Sequence, residues 1–126
     1  MTTVILHVSD IHFSHDKTDE NDSRTLALNG LSRTISDQLS DWRPNMVCLT
    51  GDIARRGKSE DYELAGVWLT KLLDQLGLSP EALFICPGNH DVNRDYASSL
   101  ARPASAKEAD SVLAFPPHPQ PLFSDF

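Results

Sequence analysis

A chain of 126 residues, with 40% apolar and 23% charged residues, has the size and make-up of one packed soluble domain. Its net charge of −7 argues against a broad nucleic-acid-binding surface, which would show clustered Lys and Arg. No apolar run is long enough to span a bilayer and the first residues lack the pattern of a signal peptide, so the expected location is cytoplasmic.

Val4–Val8 is the first predicted strand, apolar and β-branched at several positions, and it leads into Asp10-Ile11-His12. Asp16, Asp19, Glu20 and Asp22 then cluster in a loop that reads either as a metal-attracting rim or as a solvated acidic turn. Ser23 is placed to cap a helix in which Leu28, Leu31, Ile35, Leu39 and Trp42 form one buried face, ended by Pro44. Met46–Leu49 is the second strand, closed by Gly51-Asp52. Ser59 is expected to cap a second helix with Glu60, Asp61 and Glu63 in its first turn. Its apolar stripe runs Tyr62, Ala65, Leu69, Leu72, Leu76, and Gly77 closes it. Leu83–Cys86 is the third strand, which passes through Pro87 into Gly88-Asn89-His90-Asp91. Cys48 and Cys86 fall inside strands without zinc-finger spacing and read as small buried hydrophobes.

The order is β-α-β-α-β with short connections, which predicts an α/β fold with parallel strands. Two right-handed crossovers in one direction put both helices on one face of the sheet. Yet strands that are nearly continuous apolar runs call for cover on both faces, and no later segment supplies it. The motif-bearing part is expected over residues 1–94. Residues 95–126 read as a loop with a short helix from the capping-box sequence Ser105-Ala106-Lys107-Glu108 to Leu113. Pro116, Pro117, Pro119 and Pro121 follow, and a new apolar pattern at Leu122 and Phe123 has only begun at Phe126, so this part reads as truncated.

Each strand thus ends in residues that can hold a metal, and the carboxyl edge of an open α/β sheet is where such folds place their chemistry. Carboxylates, an amide oxygen and imidazoles make a mixed O/N donor set suited to a divalent-metal hydrolase.

Taken together, Asp10-Ile11-His12, Gly51-Asp52 and Gly88-Asn89-His90-Asp91 resemble the calcineurin-like metallophosphoesterase superfamily. The wording Leu6-His7-Val8-Ser9-Asp10-Ile11-His12-Phe13 and Pro87-Gly88-Asn89-His90-Asp91 is most similar to its bacterial cyclic-nucleotide phosphodiesterase branch, over roughly residues 3–94. The resemblance implies the amino-terminal β-α-β-α-β part of a four-layer α-β-β-α sandwich, whose second sheet would cover the bare face. It implies two divalent ions, manganese, iron or zinc, with Asp10 and His12 on one, Asp52 bridging both and Asn89 on the second. His90 would face the substrate as an acid or charge stabiliser, with Asp91 orienting its ring. Arg56 is either a phosphate clamp or a surface arginine; Arg55 stands where many members carry an acid.

The family completes its site with a Gly-His and a Gly-His-x-His motif, and neither occurs here. His118 lies between prolines, His15 is expected in solvent, and His7 reads as a packed core histidine. The implied activity is metal-dependent phosphoester hydrolysis on a small phosphate ester, a cyclic nucleotide being one case; a nuclease is a variant that the acidity disfavours. The alternative is a truncated or split non-catalytic module that needs a complementary carboxyl-terminal segment or self-associates.

Overall fold

Three strands and two long helices dominate the computed structural model, which describes residues 2–16, 18–37, 42–98 and 104–108. β1 (Ile5–Ser9), β2 (Met46–Gly51) and β3 (Leu83–Pro87) form one parallel sheet in that order. α1 (Asp19–Ser36) joins β1 to β2, and α2 (Ser59–Leu76) joins β2 to β3. This is the α/β, β-α-β-α-β order expected, and it is consistent with the amino-terminal part of a metallophosphoesterase fold. A short α3 (Arg94–Ala97) follows. Among the described residues no helix is long and apolar enough to cross a membrane.

The two-residue period of the strands decides what meets the helices. Leu6, Val8, Val47, Leu49 and Leu83 share one core with Leu28 and Ile35 of α1 and with Ala65, Trp68, Leu69, Leu72 and Leu76 of α2. Val47 and Leu49, on the central strand, are each 1% exposed. Both helices therefore lie on the same face. The alternate residues point the other way. The register aligns His7 with Cys48 and Phe84, and Ser9 with Thr50 and Cys86. Ile5 and Phe84 are each 52% exposed there, so nothing among the described residues covers this face. Three expectations fail for that one reason. Cys86 is exposed and Cys48 only half-buried. His7 is not a packed core residue; it is exposed, with its Nε2 2.8 Å from the Thr50 hydroxyl.

Both helix starts differ from the expected caps. Thr18, not Ser23, caps α1: it is extended, and its hydroxyl accepts from Asn21 N at 3.3 Å. Glu20 and Asp22 thereby belong to the start of the helix, where the amino-terminal partial charge favours acids. In α2 the cap position is Lys58, and Ser59 is the first helical residue. The end of α1 is earlier than Pro44. The helix stops at Ser36, and Trp42 is 68% exposed. Ser32, Thr34 and Ser36 each donate back to the carbonyl four residues before them, a competition that weakens the last turns. Gly77 closes α2 as expected, in the left-handed region at φ 66°. Ser105 and Glu108 form the expected cap, with Glu108 N donating to the Ser105 hydroxyl at 3.2 Å. Leu39, Leu113, Pro116, Pro117, His118, Pro119, Pro121, Leu122, Phe123 and Phe126 lie outside the described residues.

Candidate metal centre

Parallel pairing sets the carboxyl ends of the three strands side by side, with Ser9 opposite Thr50 and Gly51 opposite Pro87. The loop after β1 then runs along the loop after β2. Asp10 N donates to Thr50 O, His12 N to Asp52 O and Phe13 N to Ile53 O, at 3.1, 2.9 and 2.7 Å. Asp10 and His12 turn the loop through the left-handed region, at φ 53° and 55°. A non-glycine residue there costs about 1–2 kcal/mol, so the surrounding bonds must hold it. One of them is supplied by α1: Arg24 Nη1 donates to the His12 carbonyl at 2.8 Å. Another comes from α2, whose fully buried Asp61 accepts from His15 N at 2.8 Å.

Three donor atoms converge in the space this creates. One ligand atom each from His12, Asp52 and His90 lies within 4.8 Å of the others. Asp52 Oδ2 is 3.6 Å from His12 Nε2 and 4.0 Å from His90 Nε2, and the two rings meet edge to face at 5.0 Å. Those nitrogen–oxygen distances are too long for hydrogen bonds. The His12–Asp52 spacing suits a shared ion instead, since donors about 2.1 Å from one cation stand roughly 3–4 Å apart, and His90 Nε2 stands beside that pair at the limit of the range. The donor set of imidazole and carboxylate fits a first-row divalent metal. Asp52 is oriented by its other oxygen, which accepts from His90 N at 2.8 Å. Gly88 makes that approach possible, because a Cβ there would stand 2.3 Å from Asp52 Oδ1.

The remaining expected residues are placed as follows. Asp10 is adjacent but outside the tight group, with Oδ1 accepting from Asp52 N at 3.3 Å. Asn89 opens the 3-10 turn Asn89–Asp91 and is exposed. His90, read from the sequence as facing substrate, stands inside the donor group. Arg56 Nη2 is 3.1 Å from Asp16, and its Nε is buried without a partner among the described residues. The acidic cluster of the first loop is thus partly neutralised: Asp16 by Arg56, and Glu20 by Arg24 and Arg55 at 3.0 and 3.6 Å.

Asp91 requires a correction. Its carboxylate is not what holds the His90 ring. The ring Nδ1 lies 2.9 Å from the Arg55 carbonyl. Asp91 is 1% exposed, and its oxygens accept from Ile53 N, Ala54 N, Gly88 N and the Tyr62 hydroxyl, at 3.1, 2.8, 2.8 and 3.0 Å. The physical reason is that its side chain turns back under its own loop, where unpaired amides outcompete an imidazole. Asp91 therefore ties together the loops that carry Asp52 and His90.

Sequence reasoning missed Arg24, Asp61, Tyr62 and Arg94 as neighbours of the centre. Tyr62 and Asp61 were visible only as a stripe residue and a helix-start acid. Arg94 carried a faint signal, four residues after His90. Its Nη2 lies 3.0 Å from His90 Nδ1 and 3.1 Å from Nε2. Next to it, a hydrogen bond and ion pair at 2.8 Å hold Lys58 above the usual lysine range and Asp95 below the usual carboxylate range. That pair ties α3 to the start of α2.

A family model described as calcineurin-like phosphoesterase matches residues 3–122. The chain is also 30% identical over 100 residues to the uncharacterized metallophosphoesterase-like protein YydB of Bacillus subtilis (strain 168). The aligned region is 79% of this chain and 20% of the relative, so the chain spans about a fifth of that curated protein's length.

Proposed function

This chain belongs to the calcineurin-like phosphoesterase family, and from that premise we propose that residues 1–94 carry half of a two-metal phosphoester hydrolase site. The observation that carries the reading is the convergence of His12, Asp52 and His90 donor atoms within 4.8 Å at one sheet edge. In this reading Asp10, His12, Asp52 and Asn89 would hold the divalent ions, manganese, iron or zinc. When bound, such ions lower the pKa of the attacking water and polarise the phosphoryl oxygens. The chain's own residues do the rest. Asp52, fixed by His90 N, keeps the donors in register. His90 would take up a proton from solvent at Nε2 and pass it to the leaving oxygen, the task of a general acid. Arg56 adds positive charge toward the phosphate once Asp16 releases it. The substrate is a small phosphate ester such as a cyclic nucleotide, the acidity disfavouring a nuclease track, and the setting is the cytoplasm.

The test is a manganese titration combined with hydrolysis of a chromogenic phosphodiester by the protein carrying this chain. Asp52→Ala should abolish metal binding. His90→Ala should keep most of the metal while turnover falls about 10²–10⁴-fold. Equal metal loss in both variants would contradict the division of roles.

One observation favours a second reading, a split, non-catalytic module that needs a complementary segment to cover its sheet. Ile5 and Phe84 leave an apolar face half exposed.

A further inference from the structure

We propose that Arg94 binds the non-bridging phosphoryl oxygens of the substrate, an assignment that rests on the phosphoester-hydrolase reading above. Four arginines stand around the centre, and three are already matched with acids. Arg24 and Arg55 pair with Glu20, and Arg56 pairs with Asp16. Arg94 has no carboxylate partner among the described residues, and it is exposed. It is also the one whose guanidinium touches the donor group, at 3.0 and 3.1 Å from the two His90 ring nitrogens.

The chemistry of that contact explains what Arg94 is waiting for. His90 Nδ1 lies 2.9 Å from the Arg55 carbonyl, which can only accept, so Nδ1 carries the hydrogen. Nε2 then holds the lone pair and is the only ring atom able to accept from a guanidinium. This same nitrogen faces Asp52 Oδ2 at 4.0 Å. The contact with Arg94 is thus to an imidazole and not to a carboxylate, which leaves the charge of an exposed guanidinium unmatched beside the donor group and able to take an anion within reach. A phosphate ester supplies one, with two free oxygens that match the planar fork of an arginine. The Lys58–Asp95 pair, at 2.8 Å, holds the next residue in place, so the head group can swing while its backbone stays anchored.

Inorganic phosphate titrated calorimetrically into the manganese-loaded chain tests this. Arg94→Ala should weaken phosphate binding about 10- to 100-fold, the scale of a lost charge-assisted pair. Manganese affinity should stay the same, and Arg94→Lys should recover part of the loss because it keeps the charge without the fork. Arg33→Ala, the same charge change near the far end of α1, should leave phosphate binding unaltered. Wild-type phosphate affinity in Arg94→Ala, or equal weakening in Arg33→Ala, overturns the assignment. So does loss of manganese along with phosphate, which would make Arg94 a structural residue. A wild-type chain that binds manganese but no phosphate defeats the Arg94 assignment alone; one that binds no manganese defeats the hydrolase reading with it.

Discussion

Replacing Asp91 by Asn should damage this fold more than any conservative change elsewhere in the site. The substitution keeps the volume of a side chain that is 1% exposed, but it turns one acceptor oxygen into a donor. Placed at the Oδ2 position, the new amide would face Ile53 N and Gly88 N. Placed at Oδ1 it faces Ala54 N and the Tyr62 hydroxyl, and only the hydroxyl can turn to accept. The second pose is the better one, and it still leaves the amide of Ala54, which is fully buried, without a partner. The two surviving backbone bonds drop from charge-assisted to neutral strength. At about 1.5–3 kcal/mol for a charged bond and 0.5–1.5 for a neutral one, the two weakened bonds and the lost Ala54 bond together cost roughly 3.5–6 kcal/mol. That is a large share of the 5–15 kcal/mol typical of a domain. Urea unfolding of both proteins measures it, and metal titration should show roughly a 10- to 100-fold weaker site as the loops around Asp52 loosen. Tyr62→Phe removes only the hydroxyl contacts and should cost about 1 kcal/mol. If Asp91→Asn unfolds within about 0.5 kcal/mol of wild type, Asp91 does not tie these loops together.

Gly88→Ala should abolish metal binding, because its Cβ would stand 2.3 Å from Asp52 Oδ1 and 2.7 Å from both Gly51 C and Asp52 N. Two of those atoms are backbone and cannot swing away, so wild-type metal affinity in this variant would refute the close approach. The uncovered sheet face should make the isolated chain self-associate and bind an apolar dye. Combining Ile5→Thr with Phe84→Ser should reduce both effects at modest cost to stability, since each side chain is 52% exposed. Light scattering unchanged by the pair would show that association uses another surface.

The three strands, the two helices and their order were legible in the sequence, because hydrophobic period is a local property that survives in one dimension. So were the residues at the strand ends, since parallel pairing carries any motif that closes a strand to the same edge. Gly77 announced the end of α2 for an equally local reason, its freedom at φ 66°. The end of α1 was not legible, because it depended on whether Ser32, Thr34 and Ser36 would bond back to their own helix. The exposed state of His7, Cys48 and Cys86 needed the sheet as a whole, for a strand's pattern cannot say which of its faces finds a partner. Asp91 marks the boundary most sharply. Its motif assigned it to an imidazole beside it, yet its partners are amides from residues 53, 54 and 88 and a hydroxyl from residue 62. A carboxylate's role is set by which unpaired donors reach it first, and that is decided only when loops distant in the chain close on one another.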